Sequence, residues 1–183
     1  MEKRLFTADE LEQMVRAGIL SEDDRVELIE GEIIKMSPTG KSHAACVDRL
    51  TRFFNKAADD SIIVRVQGPI RIDDLLELQP DLALLKARPD YYEDSLPTPG
   101  DILMVIEVDD TTATSDRRVK MPLYARAGVP RAWLVNLPKR GVEVYGEPQA
   151  GAYASVQRLG RKDEIALAVP GIGASSLRVE QFL

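Results

Sequence analysis

The chain has 183 residues, 44% hydrophobic and 30% charged, with a formal net charge of −6. A chain of this size buries roughly 70% of its unfolded surface, so residues 1–183 are read as one domain that needs no covalent or metal staple. One cysteine, Cys46, and one histidine, His43, exclude an internal disulfide framework and a structural zinc site, and the expectation is a reducing, cytoplasmic setting. Met1-Glu2-Lys3-Arg4 leads into a polar helical pattern, and no window approaches ~18 successive apolar residues, so neither export nor membrane contact is expected.

Thr7-Ala8-Asp9-Glu10 is a capping box and predicts a short helix ending near Gly18. Arg25 to Ile29 and Glu32 to Met36 form a hairpin turning at Glu30-Gly31. After Ser37-Pro38-Thr39-Gly40 breaks the pattern, apolar residues at helical spacing from Ala45 to Ala57 predict an amphipathic helix over about 42–58. Ile62 to Val66, Pro69 to Ile72, Leu82 to Leu85 and Ile102 to Val108 are strand-like. A second helix is predicted between Asp116 and Ala127, closed by Gly128 and Pro130. Pro122, which costs ~3 kcal/mol in a helix interior, requires a kink or a regular start near Met121. Arg131 to Asn136 reads as a strand, followed by a turn at Pro138 to Gly141 and shorter β segments. The order implies an α/β fold with mixed strand pairing and functional side chains at strand ends.

Glu107 lies inside the apolar run Ile102-Leu103-Met104-Val105-Ile106-Glu107-Val108, and Pro80-Asp81 opens a second, Leu82-Ala83-Leu84-Leu85. A carboxylate leaving water costs several kcal/mol unless it meets a cation, hydrogen-bond donors or a proton. Each acid alone is equally readable as half of a buried ion pair with an arginine. Two at the ends of buried strands suit a divalent cation, since magnesium takes oxygen ligands and keeps several waters. The negative net charge opposes a nucleic-acid partner, because Lys and Arg contacts to phosphate supply most non-specific affinity. Against that, Arg117, Arg118, Lys120, Arg126, Arg131, Lys139 and Arg140 crowd one stretch, as a phosphate-binding patch or as a solvated helix face.

Pro80-Asp81, then Glu107-Val108, then a helix bearing Lys120 is similar to the PD-(D/E)XK nuclease superfamily. Val26-Glu27-Leu28-Ile29-Glu30-Gly31-Glu32-Ile33, Met36-Ser37-Pro38, His43, Gln79-Pro80-Asp81, Glu107 to Thr112, Asp116, Lys120, Tyr124 to Pro130 and Trp133-Leu134-Val135 together resemble the Uma family of restriction endonucleases over nearly the whole chain. The resemblance implies a restriction-endonuclease-like mixed β-sheet flanked by helices, with additional β-hairpins in the N- and C-terminal parts. It also implies an endonuclease that hydrolyses nucleic-acid phosphodiesters, with DNA as the expected substrate and Mg2+ or Mn2+ as the cofactor. Asp81 and Glu107 are the expected metal ligands, and the resemblance adds the Val108 backbone carbonyl.

In the superfamily the usual lysine lies two residues after the glutamate, where this chain has Asp109. The Uma-like pattern puts it on the following helix, so Lys120 is expected to orient or deprotonate water or to balance charge. Asp116 and Tyr124 share its face if the helix is regular. Glu27 is either an additional ligand or the partner of Arg25 or Arg71. His43 is either a phosphate contact or second-line acid/base, or a helix-end residue. Asp109 and Asp110, with Thr111 and Thr112, read as helix-entry or turn residues, and Trp133 as core. Gly40-Lys41-Ser42 lacks the first glycine of a triphosphate-binding loop but opens a helix able to hold one phosphate. Lys41, Arg117 and Arg118 are the expected nucleic-acid contacts. Cutting two strands is simplest with symmetric copies, so a homodimer is expected. The alternative is a binding module for nucleic acid or protein that keeps the nuclease fold without its chemistry.

Overall fold

The computed structural model describes residues 3–21, 24–110 and 116–183, with backbone only at 116 and 117. A four-stranded antiparallel sheet, β2-β1-β5-β4, comprises β1 (Val26–Ile29), β2 (Glu32–Lys35), β4 (Ile70–Asp73) and β5 (Leu76–Leu78). A six-stranded sheet runs β10-β9-β8-β7-β6-β3, from β3 (Ile62–Val66), β6 (Leu82–Lys86), β7 (Ile102–Asp109), β8 (Arg131–Asn136), β9 (Gly141–Gln149) and β10 (Ala152–Gly160). Its β7–β8 pair is parallel and its other neighbours antiparallel, which is the expected mixed sheet. A two-stranded ribbon, β11 (Glu164–Ala166) and β12 (Ser176–Arg178), follows.

Alternation along the strands creates two apolar faces. On one, Met104, Ile106 and Val108 of β7 join Trp133 and Val135 of β8 under Cys46, Val47, Leu50 and Phe54 of α2 (Lys41–Ala57). Trp133 is core, with its ring centroid 5.8 Å from Phe54 and 6.3 Å from Phe182. On the other face, Val105 and Leu134 meet Met121 and Tyr124 of α3 (Met121–Arg126), together with Ile70, Leu76 and Leu78 of the smaller sheet. Burial of Cys46 pushes its thiol up to about 12, so it packs as a small apolar group.

Local chemistry explains the punctuation. In α1 (Ala8–Arg16) the Thr7 hydroxyl accepts from Glu10 N, and Thr7 N donates back to the Glu10 carboxylate. Glu30 and Gly31 both take positive φ, 50° and 79°, making the tight β1–β2 turn; a Cβ on Gly31 would lie 2.6 Å from Leu5 Cβ. Pro122 is accommodated because residues 116–120 form a π-helical turn and regular helix begins only at Met121. Two strand expectations change: β5 is a short strand absent from the sequence reading, and β9 and β10, expected to be short, are nine residues each. The eight paired positions of β9 with β10 supply the length that polar residues did not signal.

Candidate active site

The acids gather at one end of the six-stranded sheet. Asp81 immediately precedes β6, and Glu107 lies near the end of the adjacent β7, on the α3 face. Glu27, from β1, and Lys120, the last residue of the π-helical turn, complete the floor of a cleft of about 400 Å3 whose lining also includes His43 and Val108. Glu27, Asp81, Glu107 and Lys120 are 5%, 6%, 2% and 7% exposed, so each charge must be answered locally.

Asp81 is answered by hydrogen-bond donors. His43, held in the first turn of α2, places Nε2 2.9 Å from Oδ2. Val108 N donates to the same oxygen at 2.8 Å, and Gln67 Nε2 donates to Oδ1 at 3.2 Å. The Asp81 hydrogen bond raises the His43 pKa, and burial opposes it in part. Among the described residues, His43 Nδ1 has no hydrogen-bond partner.

Glu107 and Glu27 are answered by an ammonium. Lys120 Nζ stands 2.9 Å from Glu27 Oε1 and 3.4 Å from Glu107 Oε1. Tyr124 OH donates to Glu107 Oε1 at 2.6 Å, and Gln79 N donates to Glu27 Oε1 at 2.8 Å. The lysine thus ties the small sheet to the large one.

In an extended strand, a residue's N–H and C=O point toward the same neighbouring strand. Asp109 O accepts from Leu137 N on the β8 side, so the polar groups of Val108 point toward Asp81, as its N–H bond confirms. The Val108 carbonyl therefore faces the same side as Asp81. Among the described residues no group of three His, Cys, Asp or Glu side chains forms a ready metal-ligand set. A magnesium-type ion needs no such triple, because one or two carboxylates, a carbonyl and waters suffice. The hard oxygen donors of Asp81, Glu107 and Val108 on one open cleft fit that chemistry.

Residues 8–180 match the family model Uma2, described as putative restriction endonuclease. The chain belongs to the Uma2 family. Among solved structures, that of a putative nuclease belonging to DUF820 from Anabaena variabilis is similar to this Uma2 chain with TM-score 0.75 and 17% identity, covering 97% of each chain. That likeness extends to the whole mixed-sheet fold. No curated protein matches the chain, and no helix among the described residues is long and apolar enough to cross a membrane.

Several expectations for this Uma2 chain are revised by the geometry. Glu27 bonds Lys120, whereas Arg71 pairs with Asp9 and Asp74, and Arg25 bonds the Thr39 hydroxyl. Tyr124 touches Glu107 itself rather than merely sharing a helix face with Lys120. Asp109 is not a turn residue; it ends β7 and is buried. The Asp110 carboxylate crowds Gly40, the N-cap of α2, so an acid stands at the helix start that could have held one phosphate.

The basic stretch does not form a single patch. Lys120 is buried in the cleft, Arg126 pairs with Glu30, and Arg131 opens β8 at the end of the sheet away from Asp109. Lys41 and Arg118 are exposed, while the side chains of Asp116 and Arg117, with residues Thr111 and Thr112, lie outside the described residues. Sequence reading missed Gln67, whose neutral amide carries no charge signal. It also assigned no role to Lys35 and gave Arg25 only as an alternative partner of Glu27, whereas both line the cleft.

Proposed function

We propose that this Uma2 protein is a divalent-metal-dependent endonuclease that hydrolyses phosphodiester bonds of DNA. The observation that carries the reading is one cleft in which Asp81 and Glu107, at the ends of adjacent strands, meet Lys120, Glu27 and His43. Asp81, Glu107 and the Val108 carbonyl would hold Mg2+ or Mn2+. A divalent ion there supplies a water acidified to hydroxide and charge neutralisation on the phosphoryl oxygens.

The chain's own groups orient and balance. Lys120 serves as a cationic donor beside the reacting phosphate rather than as a base, since it already bridges Glu27 and Glu107. Tyr124 fixes the Glu107 carboxylate, and His43 fixes Asp81 Oδ2. Arg25 and Lys35 line the cleft within reach of flanking phosphates, and the exposed Lys41 and Arg118 would extend that contact. Two copies related by a twofold axis would address both strands.

The test is nicking of supercoiled plasmid by purified protein with Mg2+ or Mn2+. Asp81→Ala and Glu107→Ala should each abolish it. Equal residual cleavage in both variants would assign the nicking to a contaminant. Together with no heat of Mn2+ binding, that result favours the binding-module reading, which Asp109 at the usual lysine position and the net charge of −6 leave open.

A further inference from the structure

Gln67 takes φ +47°, in the left-handed region that non-glycine residues adopt rarely. Gly68 is next in the chain, and glycine would occupy that region without steric penalty. Gly68 instead serves close packing: a Cβ there would lie 2.7 Å from the Arg65 side chain. The left-handed conformation therefore falls on the residue with an amide to aim.

Three contacts hold that amide in place. Gln67 N donates to Asp81 O at 3.0 Å, extending the β3–β6 ladder one step past Val66–Leu82. Its side-chain Nε2 donates to Asp81 Oδ1 at 3.2 Å, so one glutamine grips both the backbone and the carboxylate of the aspartate. Its carbonyl accepts from Gln79 Nε2 at 2.5 Å, and Gln79 N in turn donates to Glu27 Oε1. Backbone outliers held by several independent bonds collect at functional sites, where they hold a reactive group in a set orientation.

We infer that Gln67, buttressed by Gln79, is a positioning residue that sets the orientation of the Asp81 carboxylate for the cleft's divalent cation. One amide hydrogen on Oδ1 and the His43 and Val108 donors on Oδ2 restrict carboxylate rotation before any ion arrives. The same bridge reaches Glu27, so the acids of the two sheets are set relative to each other through neutral amides. The role in metal binding rests on the hydrolytic reading above; the clamp on Asp81 does not.

The experiment compares Gln67→Gly and Gln67→Met with the parent protein by thermal midpoint without metal, by Mn2+ calorimetry and by plasmid cleavage. Gln67→Gly relieves the left-handed conformation, so its midpoint should equal or exceed that of Gln67→Met. Both should bind Mn2+ roughly five- to tenfold more weakly and cleave with lowered kcat at unchanged KM. Lower stability of the glycine variant with parental Mn2+ affinity would make Gln67 a structural turn and overturn the inference.

A stability cycle of Gln67→Met with Asp81→Asn reads the clamp independently of metal. Non-additive midpoints support it, and additive ones overturn it. A parent protein that binds no Mn2+ and nicks nothing, with the cycle still non-additive, would sink the hydrolytic reading alone.

Discussion

The two halves of the cleft answer the same problem, a buried carboxylate, in different ways. Asp81 is held by an imidazole, a backbone N–H and a neutral amide, supplied by a 17-residue helix and by strand ends. Glu107 is held by Lys120 and Tyr124, from a π-helical turn and the short helix behind it. Hydrogen-bond donors on regular elements fix direction. A lysine on four rotatable bonds balances charge and can follow a developing charge elsewhere. The difference assigns orientation to the Asp81 half and electrostatic adjustment to the Glu107 half.

The sharpest way to break that comparison is Lys120→Met, which leaves Glu27 and Glu107 buried without this ammonium. It should cost about 3–5 kcal/mol in denaturant unfolding, and plasmid cleavage should fall about 10²–10⁴-fold. If stability is unchanged, the ammonium is not what balances the two glutamates.

Asp81→Asn keeps the shape but removes the charge and sets an NH2 among donors. Loss of cleavage with a smaller stability cost, about 1–3 kcal/mol, is expected because the imidazole, backbone N–H and amide left facing position 81 are hydrogen-bond donors that carry no obligate charge. A cost matching that of Lys120→Met would erase the distinction between the halves. Tyr124→Phe removes a single donor from Glu107 and should cost about 1.5 kcal/mol with reduced cleavage. Unfolding of the variant and its metal-free thermal midpoint check this directly.

The smallest effect concerns pH. The His43 pKa is raised in the folded state, chiefly by its hydrogen bond to Asp81. Its contribution to stability is therefore fully present below the unfolded value near 6.5 and is lost as pH rises through the higher folded value. The metal-free thermal midpoint should decline across that window, and His43→Gln should flatten the decline. A midpoint that rises there, with the rise absent in His43→Gln, would reverse the direction of the His43 shift.

Much of this was legible along the chain. Thr7 and Glu10 cap α1 as their spacing requires, and Glu30-Gly31 makes the turn that its glycine permits. Pro122 moved the regular helix to Met121 for the reason that proline always imposes. Other features had no local signal. β5 is three residues long and depends on partners in β1 and β4. The length of β9 depends on β10, and Asp109, followed by polar residues, resembles a turn until β8 pairs beside it.

By itself the sequence determined that Glu107 is buried in a strand, that Asp81 opens another, and that the helix must either kink at Pro122 or start regularly near Met121. Apolar runs and proline act over a few residues, so their consequences can be read locally. Only the tertiary structure decided that Lys120 bridges Glu27 and Glu107, that His43 and Gln67 converge on Asp81, and that the basic stretch is divided. Those pairings join segments from both sheets and from α2, and close-range electrostatics has no meaning until packing sets the distances.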